Sequence, residues 1–387
     1  MAAVIRMFGT TWCGDCKRAK KFFGEHRIAY EWTDIDGDLE GQRIVVAANG
    51  GKRIIPTIFF EDGTILAEPS NVELARQLGL KTAPDCEFYD AVVVGGGPAG
   101  LTAALYLARD GFDVLVADRG GLGGQAGITE QLDNFPGFPE GIGGGEFADR
   151  LVAQCRRFGV ELLSAAEVAG FDRDGAYLTI RFSDDHKVTA SALLLAPGST
   201  YRRLGVPGEQ DFIGAGVHFC ATCEGAFYRD REVLVIGGGN SAVEEGVFLT
   251  RYASKVTILV RGDRLTASAV AVEKATTNSK IAIRYQSEVT AFNGGNGFTG
   301  VTLADGSEIT GAAAFVFIGL DPNTQFLRDV VDLRPDGTIA TSETLQTSSA
   351  GVFAAGDARF GSTKQLVSAA GEGATAALMI RSFLEKR

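Results

Sequence analysis

The chain has 387 residues, of which 45% are hydrophobic and 51 are glycine, and it carries a net charge of −11. That length accommodates two or three domains with real cores, and the negative charge would repel nucleic-acid phosphates and anionic membrane surfaces, so neither is expected as a partner. No apolar run approaches the roughly 20 residues of a membrane span and no signal-peptide pattern is visible, so a cytoplasmic chain is expected, whose six cysteines are not a disulfide scaffold.

In chain order, "VIRMF" predicts a strand, Cys13 to about Gly24 a helix, "AYEWTDI" a strand and "LEGQRIVVAANG" a second helix. Next come "IPTIFF" and "TILAE", two strands joined by an "EDG" turn, and a helix opened by a capping box from Ser70 to Glu73. Residues 1–80 thus form a β-α-β-α-β-β-α unit of thioredoxin-like size, and the polar stretch 81–88 reads as a linker. From Tyr89 a strand, a glycine turn, a helix and a second strand follow, and the same β-α-β unit recurs at 231–261. The chain returns to the first unit near its end with "GVFAAGDA" and a helical apolar run. The expected class is therefore α/β: a thioredoxin-like domain and two Rossmann-like dinucleotide domains. One of these covers 89–203 and 326–387, and the other, 204–325, is inserted into it.

Gly95, Gly97 and Gly100 follow a strand and open a helix, and the next strand ends in Asp118. The glycines permit a tight turn and close approach of a pyrophosphate to the helix N-terminus, and the acid can accept from a ribose hydroxyl. The second loop, Gly237, Gly239 and Ala242, leads instead to "VRGDR". Without a carboxylate for the 2′-hydroxyl, and with Arg261 and Arg264 on offer, it suits a 2′-phosphate, hence NADPH over NADH.

Two C-x-x-C pairs remain, Cys13/Cys16 and Cys220/Cys223. They are too far apart for a zinc ribbon and no histidine stands at finger spacing, so no metal is expected. Redox chemistry fits better, because the dipole at a helix N-terminus stabilises a thiolate such as Cys13 and the pair can close a disulfide within one turn. Lys17, Arg18, Lys20 and Lys21 beside it read as a solvated helix face or as an attraction for acidic clients, Cys86 and Cys155 as inert thiols, and His218 as a structural neighbour of Cys220.

With these motifs in place, residues 1–80 resemble the glutaredoxin family, and "WCGDC", "NGGKRIIPTI" and "DGTILAEPS" look most like mycoredoxins. The resemblance implies an attacking Cys13, a resolving Cys16 and a cis Pro56 beside them. The Gly-Gly-Cys-Asp stretch by which many glutaredoxins hold glutathione is replaced after Phe60 by "EDGTILAEPSN", which argues against glutathione as the client. Residues 88–387 resemble low-molecular-weight thioredoxin reductases, with "GGGPAG", "GGQAG", "NFPGFPEGI", "CATCEGAF", "GGGNSAVEE", "FVFIGLDPNT" and "GVFAAGD" in family order. This implies a homodimeric flavoprotein with FAD at Gly95, Gly97, Pro98, Ala99, Gly100, Asp118, Gly124, Gln125, Asn134, Val168, Ala196, Gly198, Gly356, Asp357, Lys364, Gln365 and Leu366. NADPH would lie at Gly237, Gly239, Asn240, Ser241, Ala242, Arg261, Arg264 and Gly319. Three departures stand out: Glu224 replaces the usual aspartate, Pro197 the threonine of "ATG", and Val260, Gly262 and Thr266 interrupt the basic NADPH signature.

The implied activity is an NADPH-dependent disulfide reductase. Electrons would run from NADPH through FAD to Cys220/Cys223, with Glu224 moving the proton, on to Cys13/Cys16, and out to a protein or low-molecular-weight disulfide. By the same resemblance the inserted domain rotates, which exposes Cys220 to the front domain. The rival readings are a dithiol oxidase that uses oxygen, the reductase of a peroxidase system, and a front domain that only recruits a client.

Overall fold

The structure is a computed structural model that describes residues 5–386 except 130, 133, 220 and 296, together with all but the side chains of 131, 201, 222 and 223.

The front unit is a four-stranded sheet in the order β2-β1-β3-β4, made of β1 (Ile5–Gly9), β2 (Tyr30–Asp34), β3 (Thr57–Phe59) and β4 (Ile65–Ala67). The pair β1/β2 is parallel, and β3 runs antiparallel to both β1 and β4. Three helices complete it: α1 (Gly14–Glu25), α2 (Leu39–Ala48) and α3 (Asn71–Gln77). Each begins where a side chain meets an orphan amide: Cys13 Sγ accepts from the Cys16 N–H, Asp38 from Glu40, and Ser70 forms a reciprocal capping box with Glu73. Met7, Phe22, Phe23, Ile58 and Leu74 fill the core.

Behind it, the second unit is built on a sheet in which β5 (Phe88–Val94) lies parallel to β6 (Val114–Ala117) and to the strand Lys187–Leu195. Val352–Ala354 adds alongside the C-terminal end of Lys187–Leu195, so a late segment returns to the early sheet. Buried on both faces, these strands read as continuous Val, Leu and Ala rather than as alternation, and one apolar cluster forms on each face. Over one face lie α4 (Pro98–Arg109), α6 (Gly144–Arg157) and the C-terminal helix Leu366–Leu384, with the short α5 (Gly124–Gly127) between α4 and α6 in sequence.

The third unit is a five-stranded parallel sheet in the order 217–218, 313–316, 232–236, 255–259 and 281–284, flanked by an antiparallel three-stranded sheet over 289–310. Ser199–Tyr201 and Leu320–Pro322 pair antiparallel where the chain crosses between the second and third units. Among the described residues no helix is long and apolar enough to cross a membrane.

Candidate active site

The first redox pair sits where β1 hands the chain to α1. Cys13 is the N-cap and Cys16 lies in the first turn, 7% and 0% exposed respectively. A Cβ on Gly9 would lie 2.4 Å from Cys16 Sγ, so only glycine at the end of β1 leaves room for that sulfur. The Ile55–Pro56 bond is cis, and the Cys13 thiol points to the Ile55 carbonyl at 3.7 Å. Burial, aided by the bond to Cys13, pushes the Cys16 thiol up to about 12. Cys16 is therefore a thiol, not a thiolate, at neutral pH.

One turn on, Lys20 folds its ammonium over the Trp32 ring, 3.3 Å from the centroid. Burial lowers it to about 8, against the pull of Cys16, Asp34 and Glu224. Glu224 belongs to the other half of the chain, in the helix Ala221–Glu224 of the "CATCE" motif. Burial pushes its carboxyl up to about 8, opposed by Lys20. Its side chain keeps 31% of its surface, yet Oε2 is sealed from solvent with no hydrogen-bond partner among the described residues, and the sealed oxygen governs the proton. Tyr30 of β2 also feels Glu224, and burial raises its phenol to about 12. The basic residues near Cys13 thus do not share one solvated face. Lys20 covers Trp32 within the field of Glu224, Lys17 lies along Gly214 and within the field of Asp211, Arg18 pairs with Asp15 and Asn71, and Lys21 with Glu25.

Cys220 lies outside the described residues, as does the side chain of Cys223, so the second pair is placed only by its flanks, Phe219 and the helix 221–224. His218 is buried, with Nε2 2.6 Å from the Tyr228 hydroxyl and Nδ1 3.9 Å from Glu224 Oε2. Burial drives it down to about 3, so it is a neutral, packed imidazole. Of the two remaining thiols, Cys155 is buried, with its proton held to about 12, while Cys86 is exposed and not packed.

The first glycine loop has the geometry of a phosphate cradle. Gly95 has φ +106°, and a Cβ there would lie 2.0 Å from the Ala196 carbonyl oxygen. Gly97 caps α4, Pro98 stands at its start, and the nearest atom to a Cβ on Gly97 is Gly124 Cα at 4.0 Å, which leaves the helix N-terminus open to a ligand. Asp118 accepts the Gly96 and Gly120 N–H groups at 2.6 and 2.7 Å. A cavity runs from Gly95 and Asp118 past Val168 and Pro197 to Asn323 and Phe326. Gly124 and Gln125 begin α5, and Asn134 Nδ2 donates to Gln365 Oε1 at 3.2 Å, joining residues 231 positions apart. Gly198, Gly356 and Lys364 turn with positive φ, Asp357 is raised by burial, and Gln365 and Leu366 open the C-terminal helix. Glu372, which no motif announced, accepts from Gly356 N–H at 2.8 Å and from Arg359 at 3.0 Å, fixing that turn.

In the second loop, Gly237 has φ +142°, with the Phe317 carbonyl 2.2 Å from where a Cβ would stand. Gly239 caps the helix Asn240–Leu249, on which Ser241 is exposed and Ala242 buried, and Asn240 Oδ1 receives the Ser268 N–H at 2.6 Å. Arg261 and Arg264 are exposed beside this loop, and Gly319 turns with φ +115°.

A family model described as pyridine nucleotide-disulphide oxidoreductase matches residues 89–373, and one described as glutaredoxin matches 5–65. The thioredoxin reductases of Bacillus subtilis and Listeria monocytogenes are each 38% identical, over 78% and 79% of this chain and 96% of their own. Among solved structures, Lactococcus lactis thioredoxin reductase in its FR conformation superposes with a TM-score of 0.75 at 35% identity, covering 77% of this chain and all of that one. The T. acidophilum thioredoxin reductase gives 0.73 at 32%, over 77% of this chain and 99% of its own. The chain therefore belongs to the pyridine nucleotide-disulphide oxidoreductase family, among the thioredoxin reductases, and carries a glutaredoxin domain in front.

Proposed function

We propose that the chain is an NADPH-dependent flavoprotein disulfide reductase that passes electrons from Cys220/Cys223 to its own Cys13/Cys16 and from there to an external disulfide. The observation that carries this reading is the packing of α1, which opens on Cys13 and Cys16, against the unit that carries the "CATCE" helix: a Cβ on Gly214 would lie 3.4 Å from the Lys17 stem, and the charges of Lys20 and Glu224 act on each other. Thiol–disulfide exchange needs sulfur contact, and this packing supports a reading in which the two redox motifs work on each other.

The residues fit the two cofactors. FAD would be held by the loop Gly95–Gly100 with Asp118 and Val168, and NADPH by Gly237–Ala242 with Arg261 and Arg264 at its 2′-phosphate. When bound, the flavin supplies the two-electron step between nicotinamide and a disulfide. The protein's own part is proton management. Glu224, held near 8, is mostly protonated at neutral pH and donates as a thiolate leaves its pair. Lys20, held near the same value by burial, returns a proton to the Cys16 side, whose thiol binds it tightly.

NADPH consumption against a panel of protein and low-molecular-weight disulfides, with wild type beside Cys13→Ser, tests the reading. A client that loses turnover in the variant supports it. Full turnover in Cys13→Ser makes the front domain a recruiting module. Flavin that NADPH fails to reduce, with oxygen taken up in the presence of dithiols, makes the protein an oxidase.

A further inference from the structure

The glutaredoxin domain is seated on the reductase of its own chain by the turn that ends α1. Arg27, at φ +55°, donates Nη1 to the Leu122 carbonyl at 3.0 Å and pairs through Nη2 with Asp149 of α6. Around it, five of the eight residues 120–127 are glycine. A Cβ on Gly121 would lie 2.0 Å from the Glu25 carbonyl oxygen, and one on Gly127 2.8 Å from Arg27 Nη1. Gly145 of α6 carries the Arg27 stem, 3.1 Å from where its own Cβ would stand.

The linker is clamped as well. The Lys81 carbonyl accepts the Ser164 N–H at 2.9 Å, and the Lys81 ammonium pairs with Glu161 at 2.9 Å. Glu161 also receives the Asp85 N–H at 2.8 Å and the Tyr89 hydroxyl at 2.7 Å. Only Leu78, Gly79 and Leu80 separate α3 from this clamp, and both leucines pack on the front core. Three residues span at most about 11 Å, so while the clamp holds the front domain pivots but does not travel.

From the latch and the clamp we infer that transfer to Cys13/Cys16 is intrachain, and that Arg27 is the positioning residue that holds the domain for it. The inference rests on the relay proposed above. In the exchange, a sulfur of the Cys220/Cys223 dithiol bonds to a sulfur of the Cys13/Cys16 disulfide as that S–S bond breaks. The second thiol of the reductase pair then closes its own disulfide and releases the front dithiol, so two electrons and two protons cross.

Rapid-quench alkylation of the holoenzyme after mixing with NADPH measures how fast Cys13 and Cys16 become thiols. Loss of the two Arg27 contacts, to Leu122 and to Asp149, predicts a fall of about fivefold to thirtyfold in Arg27→Ala. The charge swap, Arg27→Asp with Asp149→Arg, is predicted to be faster than either single variant, and flavin bleaching by NADPH to be unchanged in all of them. Chains carrying Cys13→Ser, co-assembled with chains carrying Cys220→Ser, are predicted to show no client turnover above the two parents. A wild-type rate in Arg27→Ala, or clear turnover in the mixture, overturns the inference while leaving the relay intact. Front cysteines that stay oxidised in the wild type overturn both.

Discussion

Replacing Lys20 by methionine is predicted to stabilise the glutaredoxin domain while slowing its reduction. Met keeps the length and apolar stem of Lys and removes an ammonium that burial has taken from 10.5 to about 8. A folded-state value below the unfolded one is a cost to stability. That cost is fully present below about pH 8, shrinks between 8 and 10.5, and is gone above. At 1.36 kcal/mol per unit it is about 3 kcal/mol at most. The contact with Trp32 offsets about 1–2 kcal/mol of it, and partial solvent contact reduces it further, leaving a gain of about 1 kcal/mol at pH 7. Glu224 is left without its cation, but at pH 7 a carboxyl held near 8 is already protonated, so no buried anion is stranded. Both tryptophans, Trp12 and Trp32, lie in the glutaredoxin domain, so urea unfolding followed by their emission reports that domain within the full chain. The reasoning predicts a higher midpoint than wild type at pH 7, with the difference closing by pH 10.5, and front-pair reduction at least about tenfold slower. A variant less stable at pH 7, or a gain that does not depend on pH, would refute it.

Glu224→Gln removes the carboxyl that burial holds near 8, so disulfide turnover is predicted to fall about 100-fold or more and to lose the decline predicted for wild type above pH 8, read from a kcat/KM profile. In reduced protein at pH 8, a Cys16 thiol near 12 is about one part in 10⁴ thiolate, so iodoacetamide should label Cys13 far ahead of Cys16 by peptide mass spectrometry; equal labelling contradicts the assigned roles. Gly373→Val drives a side chain onto α4, since even a Cβ there lies 2.1 Å from the Ala99 carbonyl. Overpacking of about 1–3 kcal/mol displaces the first glycine loop, and bound flavin per chain, read by absorbance, should drop.

What was legible in the sequence was local. The capping box at Ser70, the glycine turns before α4 and before the helix Asn240–Leu249, and the Ile-Pro-Thr entry to β3 each specify their geometry within a few residues, and the structure has them. Helix boundaries moved by a residue or two, as at α1, which starts at Gly14 because Cys13 is the cap. The burial of Lys20 within the field of Glu224 was hidden, because a basic residue on a helix face looks solvated until its surroundings are known, and Glu224 lies about two hundred positions on. Arg27 was missed for the same reason, while the glycines that receive it, Gly121 and Gly127, read as part of a flavin loop. The stretch 81–88 has the composition of a free linker, and nothing local shows that Glu161 fastens it.

The relay itself is tested most directly by anaerobic reduction of the holoenzyme with NADPH, with every cysteine trapped and assigned by mass spectrometry at each equivalent added. The account predicts that Cys13 and Cys16 become thiols without any added disulfide carrier, after Cys220 and Cys223. Cys13 and Cys16 still joined as a disulfide when Cys220 and Cys223 are fully reduced would contradict it.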